Sequence, residues 1–121
     1  MQTTKSGLID EIKNGVISAV KGSGDIATAA MDTITKITNV AIQDTAQIGG
    51  DLKDASVDVV TGAIEAAKEL GISVEEAASA AAHGALTAAG KVGGAALETV
   101  RNAVTGTIAG VKVVLREPFK K

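Results

Sequence analysis

Few residues in this chain have the chemistry for catalysis or metal binding. His83 is the only histidine and there is no cysteine. The carboxylates able to act together are Asp54 with Asp58, Glu65 with Glu69, and the adjacent Glu75 and Glu76. Carboxylates four residues apart share one helix face, where they could hold a cation or divide acid and base roles. Neither such pair has the histidine or third carboxylate that a di-metal helix motif requires. A solvated acidic face accounts for both pairs. His83 sits in an Ala-rich stretch, the setting of a surface or boundary residue rather than a ligand or base. Glu75 and Glu76 belong to a capping box that starts at Ser73: the Ser73 oxygen takes a backbone amide and Glu76 reaches back. Gly22-Ser23-Gly24 lacks the Lys and Thr of a phosphate-binding loop. The expectation is a protein that is not an enzyme and holds no cofactor or metal.

The elements that carry these residues follow an eleven-residue rhythm. Nine blocks of eleven run without a gap from Val16 to Val114, and their last positions read Ile26, Ile37, Ile48, Val59, Leu70, Ala81, Val92, Ala103 and Val114. Eleven residues close three turns of a slightly unwound α-helix, so a position repeated at this period stays on one line. Block positions one, four, eight and eleven hold 36 residues, none of them charged. Positions six and ten hold 11 of the 18 charged residues in the span, against about three for random placement. The pattern is a long amphipathic helix with an apolar and a polar side.

Glycines punctuate it. Gly49, Gly71 and Gly93 stand 22 residues apart, and Gly22-Ser23-Gly24 interrupts the pattern earlier. Asp25, Asp51 and Ser73 follow as N-caps. The expected helices cover 6–21, 25–48, 51–70, 74–92 and 95–116, with Pro118 ending the last and a short basic tail over 117–121. Residues 111–115 are β-prone by composition but keep the helical phase. The fold class expected is all-α, one domain over 1–121: amphipathic helices in a Gly/Ala-packed antiparallel bundle, or an extended helical assembly if the glycines act as hinges. The packing face is Ile26, Ile34, Ile37, Ile42, Ile48, Val59, Ile64, Leu70, Leu86, Leu97, Val100, Ile108 and Val111, with Ser73 and Glu76 as the cap. Gly62 with Ala66, Gly90 with Gly94, and Gly106 with Gly110 have the small-xxx-small spacing that lets helix backbones approach.

Composition narrows the partners. Net charge is −2 and the single aromatic is a phenylalanine, so neither a basic field nor stacking platforms exist for nucleic acid. No stretch reads as a transmembrane segment or a secretory signal. The lack of cysteine fits a reducing compartment, and the expected location is cytoplasmic.

The run from Val59 to Leu70, V-V-T-G-A-I-E-A-A-K-E-L, resembles the eleven-residue repeats of late-embryogenesis-abundant proteins, synucleins, perilipins and bacterial phasins. The 22-residue punctuation is similar to that of exchangeable apolipoproteins, with Gly where those often carry Pro. The resemblance implies a coat on lipid droplets, membranes or polyester granules, or protection during drying. The polar face here leans acidic, with Lys68, Arg101 and Lys112 on one flank, so a neutral lipid or polymer surface suits it better than an anionic bilayer. The small-residue face points first to self-association, as a structural or interaction protein. The alternative is a surfactant-like coat, or a stress-protective protein that folds on binding or drying.

Overall fold

The computed structural model describes residues 5–114. Among the described residues there are five helices: α1 (Lys5–Val20), α2 (Ile26–Gln47), α3 (Leu52–Leu70), α4 (Val74–Val92) and α5 (Gly94–Ala103). Two short strands, β1 (Gly106–Ile108) and β2 (Val111–Val113), follow as an antiparallel hairpin. The fold is an all-α bundle, to which the described residues add this small sheet.

Local chemistry sets the helix ends. The Asp25 carboxylate accepts from the Thr28 amide at 3.1 Å and from the Thr28 hydroxyl at 3.0 Å. Asp51 accepts from the amides of Lys53 and Asp54, and Ser73 Oγ from that of Glu76 at 3.1 Å. Each cap satisfies amides that the first helical turn leaves without a partner. At the other end, α2 and α3 close alike. Gly50 N–H donates to Thr45 O and Ile72 N–H to Ala67 O, each spanning five residues across a left-handed glycine, Gly49 or Gly71, with φ of 73° in both. This is the Schellman arrangement, and glycine adopts its conformation without a Cβ penalty.

Thr28's amide and hydroxyl hold the Asp25 carboxyl below its ordinary pKa. A carboxyl lowered by folding contributes stability that is complete above its unfolded pKa and is lost as pH falls through the folded value. The acid limb of unfolding should therefore carry an Asp25 component. In Asp25→Asn, whose amide oxygen still caps, the dependence of the urea midpoint on pH should flatten there. An unchanged slope would exclude the coupling.

The helices alternate in direction, and their neighbours are not all sequential. Glu76 near the start of α4 shares a surface groove with Ala27, Thr28 and Met31 near the start of α2. Gly84 meets Thr35 and Thr38 in mid-helix, and Lys91 and Val92 lie beside Gln43, Ala46 and Gln47 at the end. Thus α2 and α4 run parallel and in step. Helix α3, which returns the chain from the end of α2 to the start of α4, opposes both. Helix α1 runs with α3: Gly62 abuts Ile9 and Ile12, and Lys13 reaches Glu69 at 3.9 Å. The closest associations are α2 with α4 and α1 with α3, so two helical hairpins are stacked with like helices together. Helix α5 and the β-hairpin lie against α3 and α4.

The core is built of small side chains. Of the 25 buried apolar residues among those described, 12 are alanine. Helix α2 buries Ala30, Ile34, Thr38 and Ile42, a row spaced by four, and α1 buries Ile12, Val16 and Val20 in the same way. Such i±4 rows are the ridges by which packed helices interlock. Helices α3 and α4 bury wider faces. Moved by 22 residues, the ten buried positions of α3 coincide with buried positions of α4 at nine places, Ala80 being the exception at half-buried.

The expected helix over 95–116 is corrected. Helix α5 ends at Ala103, and the chain turns into the hairpin. Ala109 and Gly110 both take positive φ, 51° and 81°, the requirement of the two-residue type I′ turn. Thr107, Ile108, Val111 and Val113 are β-branched and favour the pleated backbone. Alternation then turns Ile108 and Val113 inward and the Thr107–Lys112 pair outward. Ile108 and Val111, expected on a helix face, are strand residues. Leu115 to Lys121, including Pro118 and the basic tail, lies outside the described residues, as do Met1 to Thr4.

Candidate functional site

The carboxylate pairs and the histidine are carried by α3 and α4. Glu65 and Glu69 are exposed, and Glu69 faces Lys13. Asp58 is buried at 6% exposure, which corrects the expectation of a solvated acidic face, and Asp54 is half-buried. His83 is half-buried on α4, one residue before the Gly84 contact. Among the described residues no group of three His, Cys, Asp or Glu is placed to hold a metal ion. Glu75 and Glu76 are exposed at the start of α4.

The sequence-derived packing face divides into three sets. Ile34, Ile42, Val59, Ile64 and Val100 are fully enclosed, and Leu86 and Ile108 nearly so. Ile37, Leu70, Leu97 and Val111 pack partly buried against the core. Ile26 and Ile48 are exposed, at 40% and 83%. Both flank a helix boundary: Ile26 is the first residue of α2 and Ile48 its C-cap. A periodic pattern cannot distinguish a helix end from a helix middle.

Sequence reasoning did not single out Gly84. A Cβ at Gly84 would lie 2.5 Å from the Thr35 carbonyl oxygen, and one at Gly62 would lie 2.7 Å from the Ile9 carbonyl oxygen. These two glycines mark where α4 crosses α2 and where α3 crosses α1. Gly90, identical in type, has nothing within 4 Å of its Cβ position.

Thr38 was also missed, although its i+4 spacing from Ile34 was a signal. It is fully buried beside Gly84, and among the described residues its hydroxyl finds no hydrogen-bond partner. An enclosed hydroxyl of that kind costs about 1–3 kcal/mol. Thr38→Val, which keeps the branched shape, should raise the stability measured by urea unfolding by about 1 kcal/mol. A loss of that size would mean that the hydroxyl is satisfied.

One surface feature has the character of a binding site. Between α1 and α2 lies an open groove of about 510 Å³, lined by residues of these two helices and by Ile48, the C-cap of α2. Leu8, Ile12, Gly15, Ile37 and Ala41 supply its apolar lining, and Val40 and Ile48 stand exposed along it at 57% and 83%. Its charged residues are Glu11 and Asp44, both exposed and both acidic. The volume falls in the range of ligand pockets, roughly 300–1,000 Å³. Helices α3 and α4 have α5 and the hairpin over them, whereas this outer face of α1 and α2 has no described element across it. No helix among the described residues is long and apolar enough to cross a membrane. In comparisons with family models, curated proteins and solved structures, the chain matches none.

Proposed function

We propose that this chain is a non-enzymatic structural or interaction protein of the cytoplasm, folded as a bundle before it meets a partner and self-associating through its α1–α2 face. The observation that carries the reading is the apolar groove between those helices, with Val40 and Ile48 exposed beside it. Exposed aliphatic side chains grouped along a concave surface mark interaction sites. The backbone contacts at Gly62 and Gly84 favour a bundle already folded when alone, because they lock each helix of one hairpin to its like in the other.

The test joins light scattering on a sizing column to circular dichroism over a wide concentration series. The reading expects strong helicity in dilute buffer and a mass that rises with concentration. A chain helical but monomeric throughout overturns it. A chain unstructured in buffer that becomes helical on neutral lipid droplets or polyester granules favours the surfactant-like coat instead.

A further inference from the structure

We infer that the occupant of the α1–α2 groove is the segment Leu115–Lys121 of a second copy of this chain. The inference rests on the self-association proposed above and names the contact that produces it.

Charge complementarity favours this segment. The charged residues lining the groove are Glu11 and Asp44, with no Lys or Arg among them. The segment Leu115-Arg116-Glu117-Pro118-Phe119-Lys120-Lys121 has three basic residues against one acidic, in a chain whose net charge is −2. Its positive charge is therefore a local exception that finds its opposite at the groove. Apolar matching favours it as well. The segment contains Leu115, Pro118 and Phe119, and Phe119 is the only aromatic in the chain. An aromatic side chain carries a large buried area and is a frequent anchor of interfaces. The groove offers an aliphatic lining with Gly15 in it, and a Cβ at Gly15 would meet only the Ile37 Cδ1 atom, at 3.3 Å.

Reach decides between the same copy and another. The segment begins directly after Val114, beyond β2, which packs on α4, while the groove opens on the outer side of α1 and α2. Seven residues extend at most about 25 Å. Packed helices are spaced roughly 8–10 Å apart, so a path around two helical layers would take up about 20 Å of that length and leave at most a residue or two to enter the groove. A second copy brings its own segment there without this constraint. The geometry is head-to-tail, with the segment of one copy on the groove of the next, so it gives a closed ring or an open chain according to the rotation between copies.

The experiment uses the full chain and sedimentation to measure self-association, with circular dichroism as the control for folding. Phe119→Ala should weaken self-association about tenfold or more at unchanged helicity. Reversing the groove charges (Glu11→Lys with Asp44→Lys) should weaken it, as should reversing the segment charges (Lys120→Glu with Lys121→Glu). Mixing the two double variants should restore association between them, since each supplies the charge the other lacks. If the unaltered chain associates and none of these variants changes its affinity, the segment is not the occupant, and self-association through another contact still stands. If the unaltered chain is a monomer at every concentration, both the inference and the self-association reading fail.

Discussion

Gly84→Ala and Gly62→Ala should each destabilise the protein by about 1–3 kcal/mol, although alanine is the better helix former by about 1 kcal/mol. Both glycines lie inside helices, at positions of ordinary helical backbone. On propensity alone the substitution is a gain, because alanine loses less backbone freedom on folding. The new methyl group decides the sign. At Gly84 it would stand 2.5 Å from the Thr35 carbonyl oxygen and 3.2 Å from Thr38 Cβ. At Gly62 it would stand 2.7 Å from the Ile9 carbonyl oxygen and 2.8 Å from Ile12 Cβ. Main-chain atoms and Cβ atoms cannot rotate away, so the helices themselves must separate. That separation loosens the surrounding alanines, whose short side chains cannot follow.

Gly90→Ala is the control. It lies on the same helix as Gly84, is exposed, and has nothing within 4 Å of the added atom. It should gain about 0.5–1 kcal/mol. Urea unfolding of the three variants measures all of this: the midpoint should fall for Gly62 and Gly84, rise for Gly90, and the slope should stay constant. A rise at all three would mean that the two crossings are not backbone contacts.

These glycines also show where the sequence was legible and where it was not. Asp25, Asp51 and Ser73 were readable as caps because capping is settled within three or four residues, and four of the five helices begin and end within a residue or two of the expected places. Gly49 and Gly71 were readable as breaks for the same local reason. The stacking of α1 on α3 and α2 on α4 depends on which glycine faces another helix, and nothing local distinguishes Gly84 from Gly90. The hairpin was half legible. Its β-branched run and Gly110 were visible, but the helical phase passed through Val111 unbroken and outweighed them. A two-residue turn with positive φ at Ala109 is difficult to anticipate, since asparagine or glycine is the usual occupant. The groove was not legible at all, because it is a place where an expected apolar face remains open, and periodicity cannot count how many neighbours a helix will have.

Ile34→Ala and Ile48→Ala should part company completely, although both isoleucines belong to the same periodic apolar face. Ile34 is fully buried in mid-α2 and is among the largest enclosed side chains of the described residues. Truncating a buried isoleucine to alanine costs about 2–5 kcal/mol, the amount set by how far the surroundings can close the space. Here they can close it little. The buried apolar side chains of α4, the helix packed most closely on α2, are alanine except for Leu86, and alanine has no rotamer to move. The loss at Ile34 should therefore lie in the upper half of that range, a large share of the roughly 5–15 kcal/mol that holds an ordinary domain folded. Ile48 is 83% exposed at the C-cap, and its backbone amide, which alanine retains, makes the hydrogen bond to Asp44 O. Ile48→Ala should change stability by no more than about 0.5 kcal/mol. If the protein self-associates as proposed, its effect should fall on association instead, since Ile48 lines the α1–α2 groove. Urea unfolding and sedimentation on the same two variants separate the roles: a stability loss confined to Ile34 and an affinity loss, at full helicity, at Ile48. If Ile48→Ala left association intact, the groove would have no claim as the interface. If Ile34→Ala unfolded no more easily than Ile48→Ala, α2 would not be packed on α4 through its four-residue row.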